Sequence, residues 1–330
     1  MTGRQVVVVT GASSGVGRAV ARAFGRQTAG LGLIARNREA LEHAAEEVRQ
    51  GGGEALVLPL DVSEPEALEQ AASAVEDRFG PIDVWVNDAM VTVMSPVKAM
   101  TADEFRRVTE VTYLGYVYGT LAALRRMLRR DRGTIIQIGS ALAYRSIPLQ
   151  SAYCAGKAAI RGFTDSLRTE LIHDKSNVRI SMLQLPAVNT PQFDVSRSRM
   201  PRRPQPVPPI YQPEVIARAV LYAAEHAPRE LWIGGSTITA ILGQKVFPGL
   251  LDRYLGQTGY DSQQTSEPAS PGRQDNLFEP VPGDRGAHGD FDARARSHSA
   301  ELWTRRHRKL LAGTTLVATL GLAAALGRSR

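Results

Sequence analysis

Near its start the chain runs four consecutive valines into a glycine-rich turn, in RQVVVVTGASSGVGRAVARAFG. A strand that is apolar at successive positions must be covered on both faces. That is the situation of a central strand in a parallel sheet, not of a half-solvated hairpin. The glycines behind it allow a tight turn, and the periodic apolar residues from about Gly15 read as a helix. Parallel strands need long crossover connections, usually helical, so such a unit constrains what can follow it.

The rest of the chain meets that constraint. GLGLIARN reads as a second strand, and the helix REALEHAAEEVRQGGG ends in glycines. EALVLPLDV is a third strand, followed by the helix SEPEALEQAASAVEDRFG with a capping serine, and IDVWVNDAM is a fourth. A helix over about 102–130 precedes the fifth strand GTIIQIGS. The long helix SAYCAGKAAIRGFTDSLRTELI then leads to the sixth strand, VRISMLQLPAV. QPEVIARAVLYAAEH is helical and ELWIGG closes the series. Strict alternation predicts an α/β fold, a doubly wound parallel sheet of Rossmann type, over roughly residues 4–240. No internal repeat is visible beyond the alternation itself.

Two stretches break the pattern. Residues 191–213 are rich in proline and arginine and interrupt the fold between the sixth strand and the next helix; a long insertion there suggests function or mobility. Residues from about 257 to 304 carry Gly, Pro, Asp, Ser and Gln with few apolar side chains, and read as linker or disorder. The expected organisation is a single Rossmann-type domain over 1–256, a flexible polar linker over 257–308 and a short apolar C-terminal segment over 309–330. Within the last, the uncharged run 310–327 is flanked by basic residues. It is at the short edge for a membrane span, so it is either a membrane attachment or a packed helix joining subunits.

Of 330 residues, 43% are hydrophobic and 22% charged, as in an ordinary globular protein. The net charge of +7 raises the question of a nucleic-acid partner. The arginine clusters at 125–132, 197–203 and 305–309 form no nucleic-acid module and do not interleave with aromatics, so none is expected. The 6 histidines are scattered without ligand-like spacing, so no metal is expected. The single cysteine, Cys154, permits no internal disulfide and fits a reducing cytoplasm. The first residues enter a strand pattern with no signal-peptide features.

Thr10, Gly11, Gly15 and Gly17 form T-G-x-x-x-G-x-G between strand and helix, enclosing Ser13, Ser14 and Val16. Glycines let the backbone approach a pyrophosphate, whose charge the helix N-terminus stabilises. An acidic residue at the end of the second strand would bind the ribose 2′-OH of NAD; here stand Ala35 and Arg36, and a guanidinium can clamp a 2′-phosphate instead. NADP(H) is therefore expected in preference to NAD(H). Asp61, followed by Val62, ends the third strand, where a carboxylate can accept from an adenine amino group or simply serve a turn. Tyr153 and Lys157 stand four apart, on one helix face. An ammonium beside a phenol favours phenolate and lowers its pKa, which makes a proton donor and acceptor. Ser140 ends the fifth strand, at the sheet edge that faces ligands, where its hydroxyl can orient a carbonyl.

With TGASSGVG, DV at 61–62, VNDAM at 86–90, GS at 139–140 and YCAGK at 153–157, the chain resembles the short-chain dehydrogenase/reductase (SDR) family over roughly residues 4–240. The steps from Ser140 to Tyr153 and on to Lys157 match that family's Ser–Tyr–Lys arrangement. The resemblance implies hydride transfer between a nicotinamide and a small-molecule carbonyl or alcohol. Tyr153 would be the acid/base and Ser140 would hold the substrate oxygen. Lys157 would lower the tyrosine pKa and hold the nicotinamide ribose. It also implies cofactor contacts from Asn87, Ala89, Pro186, Val188 and Thr190, and assembly into dimers or tetramers through the 102–130 and 153–172 helices.

Three positions depart from the family pattern. Met90 stands where NNAG has glycine, Ala187 replaces the glycine of PG, and Thr112 replaces the asparagine that anchors a proton-relay water. The alternative to a reductase is therefore an NADPH-binding, membrane-tethered scaffold with weak or no catalysis.

Overall fold

The computed structural model describes residues 4–306. Seven parallel strands form the central sheet: β1 (Val6–Thr10), β2 (Gly30–Ala35), β3 (Glu54–Pro59), β4 (Val84–Asn87), β5 (Thr134–Ile138), β6 (Arg179–Gln184) and β7 (Glu230–Trp232). Their order is β7-β6-β5-β4-β1-β2-β3. The order reverses at β1, where the chain leaves for β2 on one side and returns to β4 on the other. Val8 sits between Gly32 and Trp85 in the two neighbouring strands.

The valine run explains itself here. Val7 and Val9 enter one core beneath α1 (Gly15–Gly25), α2 (Arg38–Gln50) and α7 (Pro213–His226). Val6 and Val8 enter the other, beneath α3 (Pro65–Phe79), α5 (Gly115–Arg130) and α6 (Ser151–His173). All four are at most 2% exposed, so alternation places an apolar side chain in each of two layers.

The helix expected over about 102–130 is not continuous. α4 (Ala102–Thr109) passes through a wide π turn at Glu110–Leu114 before α5 begins. Such turns expel one residue from regular register and often mark functional positions; Thr112 lies inside this one.

The expected flexible linker is also corrected. Beyond α8 (Gly235–Val246) and α9 (Pro248–Thr258), residues 259–306 form a belt that packs across the domain and ends in α10 (Ala300–Arg306). Leu277 is fully buried, and Val281, Ala287, Phe291 and Leu302 are nearly so. The belt has few apolar residues, which is why composition reads as disorder, but Leu277, Ala287 and Leu302 each join one of the two main cores. The 191–213 insertion is held by it: Arg202–Pro204 pairs antiparallel with Gln264–Pro268, and Ile210–Tyr211 lies between Ala187–Val188 and Ala295–Arg296. Arginines of the insertion meet carboxylates: Arg197 pairs with Asp275 at 2.8 Å, Arg199 with Glu104 at 2.7 Å and Arg203 with Asp194 at 2.7 Å. Among the described residues no helix is long and apolar enough to cross a membrane, and the run 310–327 lies outside them.

Candidate active site

Two adjoining cavities open at the C-terminal ends of β1, β4, β5 and β6. The first, of about 200 Å³, follows the glycine-rich turn. Gly11 has φ +74°, a left-handed conformation that strains other residues. A Cβ on Gly17 would stand 2.3 Å from the Gly11 carbonyl oxygen, so only glycine lets α1 start this close to β1. The Thr10 hydroxyl donates to Val86 O at 3.4 Å and accepts from the Asp88 and Ala89 amides at 3.0 and 3.2 Å, fastening the ends of β1 and β4 together. Ser14 caps α1 without a side-chain bond, and Ser13, Ser14, Gly15 and Val16 line the groove.

Arg36 lies at the end of β2 in the same groove. Its guanidinium donates to the carbonyls of Asn276 and, at 2.7 Å, Phe278. Asp61 accepts from Arg107 and from the Ser63 amide and hydroxyl at 2.9 and 2.8 Å. Burial works against its charge, but these donors outweigh burial and lower its pKa.

The second cavity, of about 270 Å³, holds Ser140, Tyr153 and Lys157 in its wall. Ser140 opens a short 3-10 turn, Ala141–Ala143; its hydroxyl accepts from the Leu142 amide at 3.1 Å and its amide donates to Gln184 Oε1 at 2.9 Å. Gln184, fully buried, is itself held by Glu230 at 2.7 Å. The Ser140 hydroxyl lies beside the Tyr153 phenol and works to lower its pKa.

The electrostatics differ from the sequence-based expectation. Burial pushes the Tyr153 phenol above the ordinary tyrosine value, and the Ser140 hydroxyl offsets this only in part. The Lys157 ammonium sits 5.6 Å from the Tyr153 ring centroid but does not bond the phenol. It donates instead to Tyr116 Oη at 2.8 Å and Ile138 O at 2.7 Å. Burial makes Lys157 less basic than an ordinary lysine, opposed by the nearby Asp88 carboxylate. Asp88 is in turn pushed up by burial, against the pull of Lys157 and the Gly17 amide.

Thr112 is fully buried, and its hydroxyl donates to Val91 O at 2.9 Å and accepts from the Val91 amide at 3.2 Å. It braces the π turn against the chain leaving β4 and lines neither cavity.

The two cavities share Val16, Asp88, Met90, Thr190 and Gln192. Gly11, Ser13, Ser14, Gly15, Val16, Arg36, Asp61, Val62, Ala89 and Thr190 line the groove. Ser140, Tyr153, Lys157, Pro186 and Val188 line the second cavity. Thr10, Gly17, Asn87 and Thr112 line neither. Asn87 is fully buried; its side-chain nitrogen donates to Gln137 at 3.0 Å and Thr120 at 3.1 Å, and its oxygen accepts from Trp85 at 2.8 Å.

Sequence reasoning missed Asp88, Tyr116, Asn37 and the belt. Asp88 stands inside a motif already noted, and Tyr116 lies one helical turn after Thr112, a spacing that places the two on one face.

Comparison with known proteins agrees with this geometry. A family profile described as short chain dehydrogenase matches residues 5–200. Over 330 residues the chain is 32% identical to an uncharacterized oxidoreductase, YxnA, of Bacillus subtilis, covering 99% of this chain and 91% of that one. It is 31% identical to 3beta-hydroxysteroid dehydrogenase 1 of Eggerthella lenta, with 74% of this chain and 95% of that one aligned. It is 39% identical to human dehydrogenase/reductase SDR family member 7, over 50% of each chain. The solved alcohol dehydrogenase of the archaeon Thermococcus sibiricus, complexed with 5-hydroxy-NADP, superposes with a TM-score of 0.60 at 32% identity. That superposition covers 96% of the archaeal chain but 70% of this one.

Proposed function

The chain belongs to the short-chain dehydrogenase/reductase family and is an oxidoreductase; from that premise we propose that it moves a hydride between NADP(H) and an apolar carbonyl or alcohol, with Tyr153 as the acid/base. The observation that carries this reading is Ser140, Tyr153 and Lys157 together in the wall of a cavity that adjoins the glycine-rich groove.

The groove suits a dinucleotide. The first turn of α1 points backbone N–H groups at the groove, with the Gly15 amide held by Gly286 O and the Gly17 amide by Asp88, Ser14 adds no side-chain cap, and the glycines that bring the helix close to β1 leave no Cβ in the way. The end of β2 holds Arg36 and no carboxylate, which favours a cofactor bearing a 2′-phosphate. The similar archaeal alcohol dehydrogenase carries an NADP derivative.

When bound, the nicotinamide supplies or accepts the hydride. The chain's own residues handle the oxygen and the proton. The Ser140 hydroxyl holds the carbonyl oxygen, and the Tyr153 phenol donates its proton to that oxygen as the carbonyl carbon is reduced. In oxidation the phenolate takes the proton back. Lys157 places a positive charge beside the ring, which favours the phenolate left after transfer. Leu142, Ile147, Val188, Phe193, Val207 and Leu255 make the substrate side apolar.

A second reading, nucleotide binding without turnover, draws on Thr112: its hydroxyl is committed to Val91 in both directions and does not reach Lys157. Purified protein supplied with NADPH and a panel of apolar ketones separates the two. Loss of nicotinamide absorbance with matching alcohol formation supports the reductase. Tight NADPH binding with no turnover across the panel supports the second reading. Assembly into dimers or tetramers through α4, α5 and α6 is supported by Phe105, Leu121, Leu128 and Ile172, which are large, apolar and exposed there. Light scattering gives the mass directly.

A further inference from the structure

The belt does more than cover the domain; it forms one wall of the nucleotide groove. Asn276, Pro280, Val281, Gly283 and Arg285 face the glycine-rich turn across the groove. The belt is tied to residues at the rim. Arg36 donates to Asn276 O and Phe278 O, and Asn37 donates to Val281 O at 2.9 Å and Gly283 O at 3.1 Å. Beside the start of α1, the Gly15 amide donates to Gly286 O at 3.1 Å. Arg18, only 3% exposed, binds Asp284 of the belt and Glu47 of α2.

Between the last two of these ties stands Arg285. It is exposed, it lines the groove, and no hydrogen bond or ion pair joins it to another described residue. Its neighbours in the belt are each held, so the backbone that carries it is fixed while its guanidinium is left for something else. Arg36, at the end of β2, lines the same groove, while Arg285 also borders a neighbouring cavity with Asp194, Arg273 and Asp290. Two guanidinium groups lining one groove, one of them without a partner among the described residues, suit a phosphate.

We propose that the belt completes the cofactor site, with residues 276–286 as its outer wall and Arg285 as a second cation of the groove, besides Arg36, for a phosphate of the dinucleotide. The inference rests on the reading of the groove as an NADP(H) site and deepens it. It also gives Arg36 a second role, since the same side chain anchors the wall.

The test is titration of the full-length protein with NADPH and separately with NADH, followed by nucleotide fluorescence, with no substrate present. Arg285→Ala should raise the NADPH dissociation constant about tenfold, the scale of a lost charge-assisted contact. Arg285→Lys should recover part of it. Melting without nucleotide should be unchanged, because Arg285 has no partner among the described residues. A loss confined to NADPH assigns Arg285 to the 2′-phosphate, and an equal loss for NADH assigns it to the diphosphate; either supports the proposal. Asp284→Ala, which cuts the tie to Arg18, should weaken NADPH binding as well. Unchanged affinity in Arg285→Ala overturns the proposal. Tighter binding in Asp284→Ala overturns it too, because the belt would then be an obstruction. Absence of NADPH binding in the unmodified protein refutes the cofactor reading itself, and this inference with it.

Discussion

Lys157 is the residue on which the site's protonation turns. It is 2% exposed, it is bonded to Tyr116 and Ile138, and burial has made it less basic than a lysine in water. In the proposed mechanism carbonyl reduction needs the phenol protonated, and burial keeps it so well into alkaline pH. The reductive rate should therefore fall not when the phenol titrates but earlier, when Lys157 loses its proton, at a pH below the ordinary lysine value of about 10.4. Tyr116→Phe removes an acceptor that stabilises the ammonium, so it should lower the Lys157 pKa further. A kcat/KM profile for reduction should show its alkaline limb displaced to lower pH in that variant, and an unmoved limb would take Lys157 out of the account. The spacing of Tyr153 and Lys157 made the pair legible from the sequence. The ammonium's actual partners were not, because a tyrosine on another helix and a carbonyl at a strand end meet it only through tertiary packing.

At the scale of elements, the turn between β1 and α1 was the most legible feature and tolerates least. A methyl at residue 17 meets backbone, not a flexible side chain, at 2.3 Å. Gly17→Ala should cost about 1–3 kcal/mol of stability, as overpacking does, and weaken nucleotide binding with it. Denaturant unfolding and NADPH titration read the two effects. The belt's attachment has its own pH dependence. His288 bridges Glu214 at 2.9 Å and Asp292 at 2.7 Å. Burial disfavours its charge, but the two carboxylates outweigh burial and raise its pKa above the ordinary value. A raised folded pKa means the contribution is full below the unfolded value of about 6.5 and lost as pH rises through the folded one. His288→Gln should therefore lower the melting temperature more at pH 6 than at pH 9. An equal loss at both would show that the bridge carries no charge. The belt was illegible because its hold on the domain lies in scattered ion pairs and carbonyl acceptors, which leave no periodic trace in a sequence.

For the molecule as a whole, the belt and the Rossmann body share cores, and they should unfold together. Leu277, fully buried, sits in the layer built on Val6, Val8 and Trp85. Leu277→Ala should lower global stability by about 2–5 kcal/mol in a single transition. A separate early transition for the belt would show that it is docked, not integral. The sheet order follows from strand–helix alternation, and the crevice lies where that order reverses, so the site's location could be read from the chain alone. The belt that lines one side of it could not, since it comes from the last fifth of the sequence. The central claim is that a proton from Tyr153 accompanies a hydride from NADPH. Its most direct measurement is a single turnover of an apolar ketone with NADPH carrying deuterium at the transferring position, in the unmodified protein and in Tyr153→Phe. Deuterium is expected on the carbinol carbon of the product in the first. In Tyr153→Phe the rate should be lower by about two to four orders of magnitude with NADPH affinity retained. Deuterated alcohol formed at an unchanged rate by Tyr153→Phe would rule out Tyr153 as the proton donor.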